Sequence, residues 1–248
     1  MVNNENLMKK YMKLIGIFAG IGLIAGVLAG IIQEPNLPDE IREVILNDVG
    51  SMNVFYIIAG IQIMVYTVLT SLGGFFLAEK LNLNVLRFSK NRLWLPVALG
   101  TLSAMIIVFG DAYVFASFLP TTVESYEIDF TYLMAGIIYG GIIEEILLRL
   151  FFLTLLLFLF QKISKSKASW TSYTAVIVSA IVFGLLHLPA MALIAELTPM
   201  IAVRTVLLNA LPGMLFGYIY LKEGLWYSML THMFTHIVMQ LILMPLVY

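Results

Sequence analysis

Seven stretches of the chain are nearly unbroken runs of apolar residues, separated by short polar segments. A bilayer core about 30 Å thick needs roughly 20 residues of helix to cross it. The runs therefore predict spans at 14–32, 55–77, 93–119, 132–160, 173–197, 199–221 and 225–247. Pro189 and Pro199 interrupt the stretch that holds the fifth and sixth. A broken helix, a re-entrant piece or an eighth span is compatible with the same residues. The expected fold class is all-α, a polytopic transmembrane helical bundle.

Lysine and arginine alternate from loop to loop as cytoplasmic retention requires. Lys9, Lys10 and Lys13 precede the first span; Lys80, Arg87, Lys90 and Arg92 follow the second; Lys162, Lys165 and Lys167 follow the fourth; Lys222 follows the sixth. The intervening loops carry little positive charge: 33–53 has only Arg42, and 120–130 has neither Lys nor Arg. This pattern predicts a multi-pass protein of the cell's cytoplasmic membrane, with the N-terminus inside and the C-terminus outside. The first run lacks a small-x-small cleavage site, so it reads as a span and not as a signal peptide. Its Gly16, Gly20, Gly22, Gly26 and Gly30 form ridges suited to close helix packing.

Composition agrees with a lipid environment. Hydrophobic residues make up 61% of the 248 and charged residues 12%, against about 45–50% apolar in ordinary soluble domains. Mean hydropathy is +0.97. A net charge of -1 offers no basic surface for nucleic acid. With no cysteine, any metal would need histidine and carboxylate ligands. Nothing marks a soluble domain, linker or repeat, so 1–248 reads as one integral membrane domain. Within it, 14–119 holds three generic spans and 132–247 the spans that carry motifs.

Ionisable side chains in mid-membrane cost about 2.5–3.5 kcal/mol even on insertion scales, so each one present needs a reason. The fourth span contains Glu144, Glu145 and Arg149, with the two acids roughly 18 Å from its outer end at ~1.5 Å per residue. Glu145 and Arg149 stand at i and i+4 with the acid first, the favourable order for a helical ion pair. Glu144 lies about 100° further round and has no partner on its own helix. A carboxylate left unpaired in a low-dielectric site is the setting for a general base. The three histidines of the chain, His187, His232 and His236, also fall in apolar runs, the last two at i and i+4 on one face.

Two chemistries use this set. Three nitrogen ligands from His187, His232 and His236 permit a zinc site with an open position for water. Met233 follows His232, so the His-Glu-x-x-His motif is missing and the base would still come from Glu144. Without metal, Glu144 takes a proton from water, His187 orients that water, and N–H groups of His232 and His236 stabilise the oxyanion. The residues alone leave both open.

In order, Glu144-Glu145-x-x-x-Arg149, Phe183-x-x-x-His187, and Gly224-Leu-Trp226 leading into His232-x-x-x-His236 resemble the CAAX prenyl endopeptidase type II family, also called CPBP or ABI. The resemblance covers roughly 132–240 and includes Gly213 and Gly217. It implies an intramembrane endopeptidase in which Glu144 activates water and His187 and His232 are the essential histidines. Where the family usually has Asn, this chain has His236. The metal-free scheme is favoured, with no cofactor, while zinc remains compatible. The substrate implied is a membrane-associated peptide or lipidated protein, of CAAX type if prenylated. Two other classes compete: a proton-coupled transporter, which the lack of repeats argues against, and a non-catalytic membrane scaffold or bacteriocin-immunity factor.

Overall fold

The computed structural model describes residues 4–118 and 126–248, and every regular element in it is helical. The expected span boundary at Leu119 and most of the 120–130 loop lie outside the described residues. α1 is Asn4–Gln33, α2 is Asp39–Val49 and α3 is Met52–Leu81. α4, Trp94–Phe109, is prolonged by a wide π turn at Gly110–Phe115 and a tight turn at Ala116–Phe118. α5 runs over residues 130–164, and its middle, Gly136–Glu144 and Ile146–Leu153, is wound as π helix. α6 is Ser169–Leu185, α7 the short Leu188–Ala192 and α8 Pro199–Glu223. α9 starts as Leu225–Val238 and continues through Met239–Leu243 and Met244–Val247.

Local chemistry sets the ends. Asp129 caps α5, its carboxylate accepting from the backbone N–H of Thr131 (2.8 Å) and Tyr132 (3.1 Å). Thr198 caps α8 ahead of Pro199, which occupies the first turn where no N–H is needed. Gly224 separates α8 from α9 with φ +100°, a conformation side chains disfavour. A Cβ there would also meet the carbonyl oxygen of Val85 at 2.7 Å. That carbonyl accepts from Leu225 N–H at 2.8 Å, and Arg92 pairs with Glu223. The loop between α3 and α4 is thus strapped to the α8–α9 corner, which explains the Gly224-Leu-Trp226 motif.

Among the described residues, six helices are long and apolar enough to cross a membrane: Tyr11–Asn36, Met52–Leu81, Lys90–Phe118, Ser169–Ala192, Pro199–Glu223 and Leu225–Val247. Their outer faces carry large exposed apolar side chains such as Ile57, Leu69 and Phe76, the surface that lipid covers. The protein is an integral multi-pass membrane protein. The seventh expected span is α5, which touches α1, α3, α6, α8 and α9. Its Ile146, Leu150 and Leu153 are fully buried with Phe18, Phe75, Leu225 and Met229. The apolar surround is therefore protein on most sides of the helix that bears the charges.

Close helix contacts fall at small residues. On α1, Gly22 and Gly26 abut α3, where a Cβ would meet Thr67 Oγ1 at 2.8 Å and Ala59 O at 2.5 Å. Gly16 and Gly20, expected on the same ridge, face open space. On α8, Gly213 and Gly217 receive Phe183 and Val176 of α6.

The fifth span departs from its expected limits of 173–197. α6 ends at Leu185, Leu186 and His187 form a turn, and Pro189 opens α7 in its first turn. Pro cannot donate the N–H that would continue α6. There is no eighth span among the described residues, and His187 sits at a helix break and not inside a helix.

Candidate active site

Adjacent positions on α5 place Glu144 and Glu145 on different faces, within a stretch wound largely as π helix. π turns inside helices are often found at functional sites. Glu145 faces the protein interior and is fully buried. Its Oε1 lies 3.3 Å from Arg149 Nη1 and 2.9 Å from His232 Nδ1, and Ser228 Oγ donates to its Oε2. Arg149 donates through Nη2 to the Gly213 carbonyl (3.3 Å) and lies between the rings of Phe183 and Phe216. The expected Glu145–Arg149 pair forms, but it is one part of a larger network. The carboxylate also grips a histidine from another helix, which i,i+4 spacing does not reveal.

Glu144 faces a partly open space, with 17% of its side chain exposed. Its Oε1 is 4.0 Å from His187 Nε2 and its Oε2 is 3.9 Å from His232 Nε2. Three elements, α5, the α6–α7 turn and α9, thus bring one carboxylate and two imidazoles together.

Both imidazoles are held from behind. His187 Nδ1 is 2.8 Å from the Phe183 carbonyl, which only accepts, so Nδ1 carries the proton and neutral His187 presents the Nε2 lone pair to Glu144. The ring also stands edge-on to Phe183 at 4.8 Å. His232 Nδ1 likewise donates to Glu145, and its neutral form presents an Nε2 lone pair. The N–H that the sequence reading assigned from His232 to an oxyanion is committed to Glu145. With that proton on Nδ1, Nε2 is the ring nitrogen on the side of Glu144, 3.9 Å from its Oε2.

His236 stacks on His232 (5.1 Å between rings, 17°), and Phe216 stacks on the opposite face of His232 at 4.5 Å. The His236 ring lies against α5 where Gly136 and Gly140 leave room. A Cβ on Gly140 would meet His236 Nε2 at 2.8 Å and His232 Nε2 at 3.3 Å. Sequence reasoning missed Phe216, Ser228, Gln240, Gly136 and Gly140. The two glycines had a legible signal in their small-xxx-small spacing.

A zinc ion with bonds of ~2.05 Å to both atoms of either Glu144–His pair would need an angle of roughly 150° across these 3.9 and 4.0 Å gaps, against ~109° in a tetrahedral site. A zinc set that includes Glu144 with either histidine therefore does not fit tetrahedral geometry as placed. Among the described residues, no group of three or more His, Asp or Glu side chains is arranged to hold a metal ion.

An apolar cavity of about 370 Å³ lies between α1, α5 and α9, and none of the four residues Glu144, His187, His232 and His236 lines it. Leu14, Phe18, Ile142, Trp226 and Met233 are among its walls. Ile142 is two residues before Glu144, and Met233 follows His232.

Residues 127–238 match the family model described as Type II CAAX prenyl endopeptidase Rce1-like. This segment is similar to an Rce1-like domain. No curated protein and no solved structure matches the chain. The matched segment holds every residue of the cluster just described from Glu144 to His236, and it ends two residues before Gln240. The match supports a membrane-embedded protease of the CAAX endopeptidase class, acting on peptide or protein substrates.

Proposed function

We propose that the protein is an intramembrane endopeptidase in which Glu144 activates a water molecule without a metal cofactor. The observation that carries this reading is the pair of gaps from Glu144 to two imidazole lone pairs. A water oxygen ~2.8 Å from both Glu144 and a ring nitrogen spans such a gap at an angle of about 90°, acceptable for a hydrogen-bonded water. One proton of that water points to Glu144 and the other to Nε2 of His187 or His232. Glu144 removes the first as the oxygen attacks the scissile carbonyl carbon, and the carbonyl π electrons move to its oxygen. When the tetrahedral adduct collapses, the C–N bond breaks and protonated Glu144 returns the proton to the leaving amine. His236 stabilises the oxyanion. Glu145, Arg149 and Ser228 fix the His232 ring without touching substrate.

The substrate class we propose is a membrane-associated peptide that carries an apolar or lipidated segment. The match of residues 127–238 to the CAAX endopeptidase family supports this. The alternation of basic loops supports an N-terminus in the cytoplasm and a C-terminus outside, in the cell membrane.

The test is cleavage of lipidated and transmembrane peptides by the purified protein in detergent, with and without a chelator. The expected result is cleavage that resists chelation and is lost in Glu144→Ala. Stoichiometric zinc in the active protein, with loss of zinc and activity together in His236→Asn, overturns the metal-free mechanism. Failure to cleave any such peptide, with Glu144→Ala leaving the cellular phenotype intact, overturns the protease reading.

A further inference from the structure

Gln240 is a polar side chain fully buried in the last span, beyond the Rce1-like segment, and no step so far uses it. It lies one turn past His236 on α9, where the backbone widens into the π turn Met239–Leu243. Its Nε2 is 3.3 Å from His236 Nδ1, while its Oε1 has no partner. A buried amide in an apolar helix costs free energy unless it is hydrogen-bonded. Its retention with a single partner points to what it does for that partner.

The arrangement fixes a tautomer. The amide nitrogen only donates, so the bond places the lone pair of His236 on Nδ1 and its proton on Nε2. The reverse amide orientation would satisfy no more of the amide: it leaves both N–H groups unpaired, against one N–H and the carbonyl oxygen as placed. It would also turn a lone pair of His236 Nε2 toward the same side of Gly140 as the Nε2 lone pair of His232. Both Nε2 atoms lie within 3.3 Å of the position a Gly140 Cβ would take. With Glu145 already holding the proton of His232 on Nδ1, the Nε2–H of His236 is the complementary donor at that point.

We propose that Gln240 is a positioning residue that holds His236 as the Nε2–H tautomer, making His236 the one neutral ring of the three that donates into the site. This rests on the endopeptidase reading for the role of the donor, but the tautomer itself is independent of it. His187 and His232 accept and orient the water; His236 donates to the oxyanion. Two opposite functions are obtained from one residue type by what stands behind each ring: a carbonyl, a carboxylate, or an amide N–H.

The chain has three histidines, so protein labelled with 15N in the imidazoles gives three ring systems, assignable by substitution. The expected wild-type spectrum shows His236 protonated on Nε2 with Nδ1 accepting a hydrogen bond. In Gln240→Met, that Nδ1 resonance shifts and a second tautomer is populated. In the cleavage assay, Gln240→Met lowers kcat in proportion to the fraction of His236 that loses its Nε2–H in the spectrum, up to about 10²-fold for complete conversion, the scale of one lost oxyanion donor, with KM changed less than about threefold. Because the amide of an asparagine needs no tautomer fixed, adding Gln240→Met to His236→Asn costs no further activity. A wild-type His236 protonated on Nδ1, or a spectrum unchanged in Gln240→Met, overturns the proposal even if no substrate is found. A cleaving wild type matched in kcat by Gln240→Met overturns it while leaving the endopeptidase reading standing.

Discussion

Glu145 accepts the Nδ1–H of His232 across 2.9 Å, and this contact decides which nitrogen of that ring faces Glu144. The two adjacent glutamates therefore have separate tasks. Glu145 works from behind the histidine, within an enclosed network with Arg149 and Ser228. Glu144 works in front of it, where solvent-sized space remains. Helix geometry makes the division possible, because consecutive side chains diverge by about 100° and so meet different neighbours.

If Glu145 both fixes His232 and balances Arg149, its two effects can be separated. Glu145→Gln leaves a buried guanidinium uncompensated, which costs about 3–5 kcal/mol of stability. It also loosens the His232 ring, for which a kcat loss of about 10- to 100-fold is expected. Adding Arg149→Met removes the stranded charge and should recover much of the thermal stability in detergent without recovering kcat. If stability and activity return together, His232 does not depend on Glu145 for its orientation.

Glu144 has the opposite profile. Its carboxylate is 3.9 Å or more from both ring nitrogens and belongs to no ion pair with Lys or Arg among the described residues. Glu144→Gln should therefore unfold within about 1 kcal/mol of the wild type, while its turnover falls by at least about 10²-fold, as for loss of a general base. Parallel melting and cleavage curves check this. A variant that loses stability but keeps turnover would assign Glu144 to the structure instead.

Gly140 gives a steric test of the same geometry. An alanine methyl there would stand 2.8 Å from His236 Nε2 and 3.3 Å from His232 Nε2, closer than packed atoms tolerate. Both rings must move, and forced shifts of this kind cost about 1–3 kcal/mol. Activity should fall more than that loss of stability explains, because the displaced atoms are the ones aimed at the substrate. Gly20→Ala, at a helix position with no atom within 4 Å of the new methyl, is the matched control and should leave both measurements unchanged.

Much of this was legible in the sequence because membranes make polar residues conspicuous. Apolar runs marked the spans, and Glu144, Glu145, Arg149 and the three histidines stood out within them. The i,i+4 spacing gave the Glu145–Arg149 pair. What periodicity could not give was anything between helices: the grip of Glu145 on His232, the stacking of Phe216, or the place of Gln240. The break at His187 was foreshadowed by Pro189, but the same residues were also compatible with a re-entrant piece or an eighth span. The π winding of α5 left no sequence signal, since its residues are as apolar as those of an α helix.

The Asp111–Arg204 pair tests whether charges remote from the site act on it through packing. Arg204 Nη2 donates to Asp111 Oδ2 at 2.8 Å, joining α8 to the π turn that follows α4. Its Nη1 also lies 3.8 Å from Met191 Sδ, on the short helix that directly follows His187. Arg204→Leu leaves Asp111 without its ion-pair partner, with only the Tyr248 hydroxyl at 3.5 Å from Oδ2, a loss of about 1–3 kcal/mol. Asp111→Leu strands Arg204 in the same way. In the double variant, no charge is left alone, so its melting temperature should lie above that of either single variant. Cleavage should follow a different order. Arg204 is the member that touches α7, so Arg204→Leu and the double variant should both lose turnover, while Asp111→Leu should lose less. Strict additivity of the two stability losses would show that the ion pair contributes nothing beyond its separate side chains.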